Sequence, residues 1–440
     1  MSSLDQETKL RLLKTILESR HSDLREQNLN RQGKGHFHVS GMGHEALAAI
    51  SFQMEPDDYI VPYYRDRGLV LGRGMTTRQL GLEYFAKRNT GSGGRQMPSH
   101  YSNSDLHIWS VPTPTGSQLL PACGIAWGIR LDGKQNLVVT TVGDAATRQG
   151  DFFEAICFAK EKKLPMLFLV EDNAYGISMP TRKTNPIALN VLEPDNWRRI
   201  EGQNVQHVYD ATAEAFAKIR GGGGPFFFWI EMERLSSHTS SDDQKLYRSE
   251  DELRELERSD PLKCWKDQLI EEDLITAKAF ADFDSDIKER IRREYREAEE
   301  AEDPSPNELL ANVTALSRSA SGPTTIEKEI LPPGKYRIGD TVNQTLRAGL
   351  EEDSRRIIFG EDIEDPKGGV FRLTQKLSTE FPNQVFNSPL AESTILGVAC
   401  GLAAYGKRPV FELQFIDFVY PGFNQLVTNI STLRWRSCGN

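Results

Sequence analysis

The chain has 440 residues, 26% of them charged and 38% hydrophobic, and a formal net charge of −10. This is an ordinary globular balance, with room for two or three domains that each bury a core. The acidic excess argues against a nucleic-acid surface, and no apolar run approaches the length of a membrane span. The five cysteines are scattered without a CxxC pair, and Cys123, Cys157 and Cys400 sit in apolar contexts. They read as buried thiols in a reducing compartment rather than as a zinc site. The start, MSSLDQETKLRLLKTILESR, is a charged amphipathic helix without the apolar centre of a signal peptide, so a cytoplasmic location is expected.

Taken in chain order, the apolar approach IVPYY delivers Arg65 to the end of a strand. Residues 137–142 form a β-branched run that stops at Gly143 and Asp144. Residues 151–163 carry Phe152, Phe153, Ile156 and Ala159 at helical spacing. A second buried-type run, 166–170, stops at Glu171, Asp172 and Asn173. A strand–helix–strand unit of this kind is parallel, and its strands end at one edge of the sheet, where ligands bind. The Asp144 carboxylate then lies beside the amide oxygen of Asn173. Two protein oxygens that leave room for phosphate oxygens and water suit Mg2+ holding a diphosphate. Backbone N–H groups near Ala145 would cap that phosphate. Gly-Asp and Asp-Asn are also common turn pairs, and a plain turn is the competing reading.

Farther on, the four glycines 221–224 precede the strand PFFFWIEME instead of following it, which suits a connection better than a phosphate loop. Residues 284–302 predict a highly charged surface helix. Residues 303–335 are rich in Pro and Ser. A second α/β pattern follows: a helix at 341–351, a strand at 356–360 ending in Glu361 and Asp362, and a short strand at 384–387. After PLAE comes a helix rich in small residues (Gly397, Ala399, Gly401, Ala403, Ala404), as expected where two backbones approach closely, and then the strand RPVFELQF.

The motifs PYYRDRG, GRQMPSHY, Gly143–Asp144 with Asn173, RLSSHTSSDD, FGEDI with GGVFR, and NSPLAE with ELQFIDFVYPGFNQ occur together and in order. In this set the chain resembles the decarboxylating component of 2-oxo acid dehydrogenase complexes, with alpha and beta subunits fused head to tail. GRQMPSHY, HTSSDD and ELQF are most similar to the branched-chain members. Ala145 stands where the usual motif has a third glycine. The resemblance implies an α/β thiamine diphosphate-binding fold of two doubly wound parallel-sheet domains. Its divisions are an alpha-like part at 1–302, a linker at 303–334, and a beta-like, incomplete pyrimidine-binding part at 335–440. The truncated second part carries the expectation of poor turnover by this form.

The resemblance also implies the site. Asp144, Asn173 and the backbone carbonyl of Tyr175 would bind Mg2+. Tyr64 and Arg65 would contact the diphosphate with Gly143 and Ala145, and Thr113 and Thr115 would approach the pyrimidine through their backbone. Glu392 would protonate the pyrimidine nitrogen and so promote formation of the thiamine ylid, against the plain reading of a helix N-terminal carboxylate. Gln414 and Phe418 match pyrimidine-side positions, the latter often Tyr in relatives. His238 matches a histidine near the thiazolium. Ser237 and Thr239 replace an additional histidine and a phosphorylatable serine of relatives, which puts kinase control in doubt. His36 and His38 are candidates for the substrate carboxylate or plain polar residues at a cleft mouth.

The implied activity is oxidative decarboxylation of a 2-oxo acid, a branched-chain one favoured, with reductive acyl transfer to the lipoyl group of an acyltransferase partner. A homodimer of fused chains would imitate the family's four-subunit assembly. The alternatives are a pyruvate or acetoin-type dehydrogenase, a transketolase-like carboligase, and a non-catalytic fragment that keeps the fold.

Overall fold

The computed structural model describes residues 4–315, 334–335 and 337–439. Most of the Pro/Ser-rich connection, 316–333, lies outside the described residues. The first sheet is built from β1 (Tyr59–Val61), β2 (Val138–Gly143), β3 (Met166–Asp172), β6 (Arg198–Glu201) and β7 (Phe226–Glu231), with a small antiparallel hairpin of β4 (Tyr175–Gly176) and β5 (Met179–Pro180) after β3. Its order is β1-β2-β3-β7-β6, and every neighbouring pair is parallel. A parallel sheet needs cover on both faces, so its strands read as unbroken apolar runs. Successive side chains serve opposite faces. Val139, Leu167, Leu169, Phe228 and Ile230 enter one core. Val138, Met166, Phe168, Val170 and Trp229 enter the other. The four-glycine stretch connects to β7, with Gly222 and Gly224 at φ 83° and 82°.

The second sheet has β8 (Arg356–Glu361), β9 (Val385–Ser388) and β10 (Arg408–Glu412) in the order β10-β8-β9, again all parallel. Ile357 and Phe359 of β8 join the second core of the first sheet, with Ile395, Val398 and Leu402 from the helix Glu392–Tyr405. That helix crosses the helix Leu119–Leu131 backbone against backbone. A Cβ on Gly401 would lie 1.9 Å from the Pro121 carbonyl oxygen, and one on Gly124 would lie 2.3 Å from that of Val398. Polar stitches flank the crossing. Thr394 donates to Glu154 Oε2 from its backbone N and its hydroxyl, at 2.9 and 2.8 Å. Gln425 Nε2 and Asn429 Nδ2 donate to the Ser117 carbonyl at 2.9 and 2.8 Å.

Two expectations need correction. The charged helix runs Ala277–Glu299 and is not a purely surface element, since Ile287, Ile291, Tyr295 and Ala298 form a buried stripe. Cys123 and Cys400 are buried as expected, but Cys157 is exposed. Its neighbours Ile156, Phe158 and Ala159 take the buried positions of that helix. Among the described residues no helix is long and apolar enough to cross a membrane.

Two outcomes follow from the packing. Gly401→Val forces a branched side chain into a backbone contact, so it should loosen the second sheet from the first. Limited proteolysis within 335–439 should then accelerate relative to the wild type. Glu83 is buried with its Oε2 unpartnered, and burial, with Glu26 adding, pushes its carboxyl up to about 8 from 4.5. The folded chain holds that proton where the unfolded chain releases it, so this group's contribution falls as pH rises from 4.5 to about 8. Glu83→Gln should therefore raise the melting temperature more at pH 8 than at pH 5.

Candidate functional site

The loops leaving β1, β2, β3 and β7 meet at the carboxyl edge of the first sheet around a cavity of about 310 Å³. Tyr64 and Arg65, Thr115, Gly143, Asp144 and Ala145, Asn173 and Tyr175, and His238 all line it. The register explains the meeting of the two central turns: Val142 pairs with Val170 and Gly143 with Glu171, so β2 and β3 end in step. After β2 the chain turns at once into a short 3-10 helix that starts at Asp144. The β4–β5 hairpin folds against that turn. A Cβ on Gly176 would lie 2.7 Å from Ala145 Cβ. Ile177, at the hairpin tip and lining the cavity, has φ 60°, a costly conformation for a β-branched residue and one that concentrates at binding sites.

Asp144 is buried, and its Oδ2 accepts the Thr181 hydroxyl. Burial and then the Asp172 charge push its carboxyl up to about 7. Asn173 is only 4% exposed, yet its Oδ1 has no hydrogen-bond partner. A desolvated carboxylate and an unsatisfied amide oxygen lining one cavity are costly alone, and a divalent cation would relieve both. Among the described residues no group of three or more His, Cys, Asp or Glu side chains is arranged to hold a metal ion, so a cation here would draw its other ligands from backbone, phosphate or water. These residues fit Mg2+ shared with a diphosphate.

Arg65 is buried; its Nη1 donates to the Ser40 carbonyl at 2.6 Å, and its Nη2 lies 3.0 Å from His238 Nδ1. Its Nε is buried without a partner. Burial, then Arg65 and Arg234, hold His238 down to about 3, so the imidazole is neutral at pH 7. Its Nδ1 accepts from Arg65, and the ring proton therefore sits on Nε2.

Behind the cavity is a polar network that the motifs did not reveal. His44 Nδ1 lies 2.6 Å from Glu171 Oε2, which also accepts the Tyr63 hydroxyl at 3.1 Å. Burial and then the charge of Asp66 hold the Glu171 carboxyl well above the usual range. Burial, then Arg65, lowers His44 well below 6.5. A charged residue at the end of an otherwise apolar strand, Glu171, was the available signal. His38 belongs elsewhere, since its Nε2 is 3.1 Å from Asp23 Oδ1 in the interior; His36 is exposed.

The second sheet presents its own carboxyl edge. Glu392 begins the small-residue helix and is half-buried. Its charge helps to raise both Glu154 and Glu361 above the usual range, behind burial as the main cause. Gln414 Nε2 donates to the Glu361 carbonyl at 3.1 Å, and Phe418 packs edge-on against Phe415, with centroids 5.5 Å apart. Glu392, Gln414 and Phe418 do not line the 310 Å³ cavity, nor does the exposed Thr113. The two edges are tied through Thr394 and Glu154, the latter on the helix that follows Asp144.

Residues 13–307 match the family described as Dehydrogenase E1 component, and residues 335–438 match the transketolase pyrimidine binding domain. The chain is 35% identical to the 2-oxoisovalerate dehydrogenase subunit alpha of Bacillus subtilis over 314 residues, covering 69% of this chain and 94% of that relative. It is 30% identical to the pyruvate dehydrogenase E1 component subunit alpha of the same organism over 298 residues, covering 66% and 77%. Against the 2-oxoisovalerate dehydrogenase subunit alpha 2, mitochondrial, of Arabidopsis thaliana it is 29% identical over 289 residues, covering 64% of this chain and 61% of that relative. With the family matched across most of its length, the chain belongs to the Dehydrogenase E1 component family of enzymes.

Proposed function

We propose that the chain oxidatively decarboxylates a 2-oxo acid with thiamine diphosphate and Mg2+, passing the acyl group to a lipoyl group on an acyltransferase partner. The observation that carries this reading is the buried pair of Asp144 and the unsatisfied Asn173 Oδ1, placed in one cavity with Arg65 and a neutral His238. Asp144, Asn173 and the Tyr175 carbonyl would hold the cation. Tyr64, Arg65 and the backbone of Gly143 and Ala145 would take the diphosphate, since a forked, permanently charged guanidinium suits phosphate oxygens. Thiamine diphosphate, when bound, supplies the electron sink that lets a 2-oxo acid lose carbon dioxide.

The remaining work falls to side chains. Glu392, on the carboxyl edge of the second sheet with Gln414 and Phe418, would hold a proton for the pyrimidine nitrogen, and the backbone of Thr113 and Thr115 would contact the pyrimidine. His238, neutral with Nε2–H available, donates a hydrogen bond to the substrate side of the cleft. In this reading residues 1–302 act as the alpha-like part and residues 335–440 as the beta-like part of a fused chain, joined by 303–334. Two such chains form the assembly.

A branched-chain substrate is favoured by GRQMPSHY, HTSSDD and ELQF and by the 35% identity to the 2-oxoisovalerate relative. Pyruvate is the second reading, favoured by the 30% identity to the pyruvate dehydrogenase relative.

Calorimetry with thiamine diphosphate should give heat only with Mg2+ present. Asp144→Ala or chelation should abolish that heat, and a folded protein without it would support a non-catalytic role. Glu392→Gln should retain cofactor binding while losing on the order of 100-fold or more in turnover with an artificial electron acceptor, the scale of general acid–base catalysis. In a panel of 2-oxo acids, 2-oxoisovalerate should exceed pyruvate in kcat/KM; the reverse order would favour the pyruvate reading, and transfer to an aldehyde a carboligase.

A further inference from the structure

A side-chain amide has an oxygen end and a nitrogen end of nearly the same shape, and a cation site needs the oxygen. Nothing in Asn173 itself chooses between them. Its Nδ2 lies 3.4 Å from His44 Nε2, while its Oδ1 is the buried atom without a partner. His44 is 1% exposed and is held from its other side by Glu171 Oε2, 2.6 Å from Nδ1. That carboxyl oxygen also accepts the Tyr63 hydroxyl, so it serves as an acceptor. The His44 hydrogen therefore sits on Nδ1, and Nε2 presents a lone pair. A lone pair there attracts the Asn173 N–H and repels the amide oxygen.

The chain of bonds continues behind Glu171. There Asp66 Oδ2 accepts the Tyr63 backbone N–H at 2.9 Å and the Thr141 hydroxyl, and Tyr63 is the residue whose own hydroxyl donates to Glu171 Oε2. Thr141 belongs to β2, the strand that ends at Asp144. The network around Asn173 is thereby anchored to β2 through Thr141 and Asp66. We propose that His44 is a positioning residue for the cation, locking the Asn173 amide with its oxygen turned into the cavity. This rests on the assignment of Asn173 to Mg2+ made above, and it adds that the site is ordered by Glu171 and His44, which do not themselves touch the ion.

The test is Mg2+ titration of the chain in the presence of thiamine diphosphate, followed by calorimetry, with melting temperature as the check on folding. His44→Leu should raise the Mg2+ half-saturation on the order of 10-fold or more, the usual cost of losing a ligand's orienting partner. The affinity for thiamine diphosphate should recover at saturating Mg2+. His44→Gln, which offers both a donor and an acceptor, should restore a half-saturation near the wild type. Glu171→Gln should do the same, since its amide oxygen can still accept from His44 and Tyr63. If His44→Leu melts early, His44→Asn takes its place, being polar but too short to span both partners. Asn173→Ala should lose Mg2+-dependent binding; wild-type binding by that variant would overturn the function assigned above. Loss in Asn173→Ala together with unchanged half-saturation in a folded His44→Leu or His44→Asn would overturn the role of His44 alone.

Discussion

The parallel pairing of β2 with β3 is the constraint on which the site depends. With Gly143 opposite Glu171, the two strands run out of sheet together, and the turns that follow each one share a single small space. A slip of one residue would exchange the faces of every side chain on a strand. That slip is blocked because both faces of this sheet are occupied by separate apolar cores, one receiving Leu167 and Leu169 and the other Met166, Phe168 and Val170. The register is thus set by burial far from the edge, and the chemistry at the edge inherits it.

Around that edge the protein keeps ionisable groups in forms they would not hold in water. Asp144, Glu171 and Asp66 are all raised, chiefly by burial, while His44 and His238 are lowered by the same cause with Arg65 contributing. Perturbation of acids and imidazoles in opposite directions within one cleft is the usual signature of a working site. Here it also fixes the direction of hydrogen bonds, because a neutral imidazole has one donor and one acceptor whereas a charged one has two donors.

Much of this was legible in the sequence where local pattern and chemistry coincide. The runs before Gly143 and Asn173 are apolar, β-branched and short, with a helical stripe between them, so the strand–helix–strand unit and its two terminal residues could be read directly. Gly397 and Gly401 announced a close helix contact, although their partners, Leu120 and Pro121, did not. What escaped depends on contacts distant along the chain. His44 and Glu171 are 127 residues apart, and nothing near either one names the other. His38 looked available until the interior carboxylate of Asp23 claimed it. The charged helix concealed Ile287, Ile291 and Tyr295, whose spacing of four is helical but whose neighbours are nearly all ionic. Cys157 misled in the opposite sense, since apolar neighbours on a helix say nothing about which way a given position points.

The crossing of the two glycine-bearing helices also matters for mechanics. Where side chains separate two helices, rotamer changes let one slide over the other; where carbonyl meets Cα, as at Gly401 and Pro121, there is no such lubricant. The small-residue helix carries Glu392 at its first turn, and its neighbour starts just after Ser117, on the loop that also supplies Thr115 to the cavity. The two sheets are consequently geared as one stiff body at this point, and the spacing between the Glu392 edge and the Asp144 edge is a property of backbone geometry, insensitive to side-chain fluctuation.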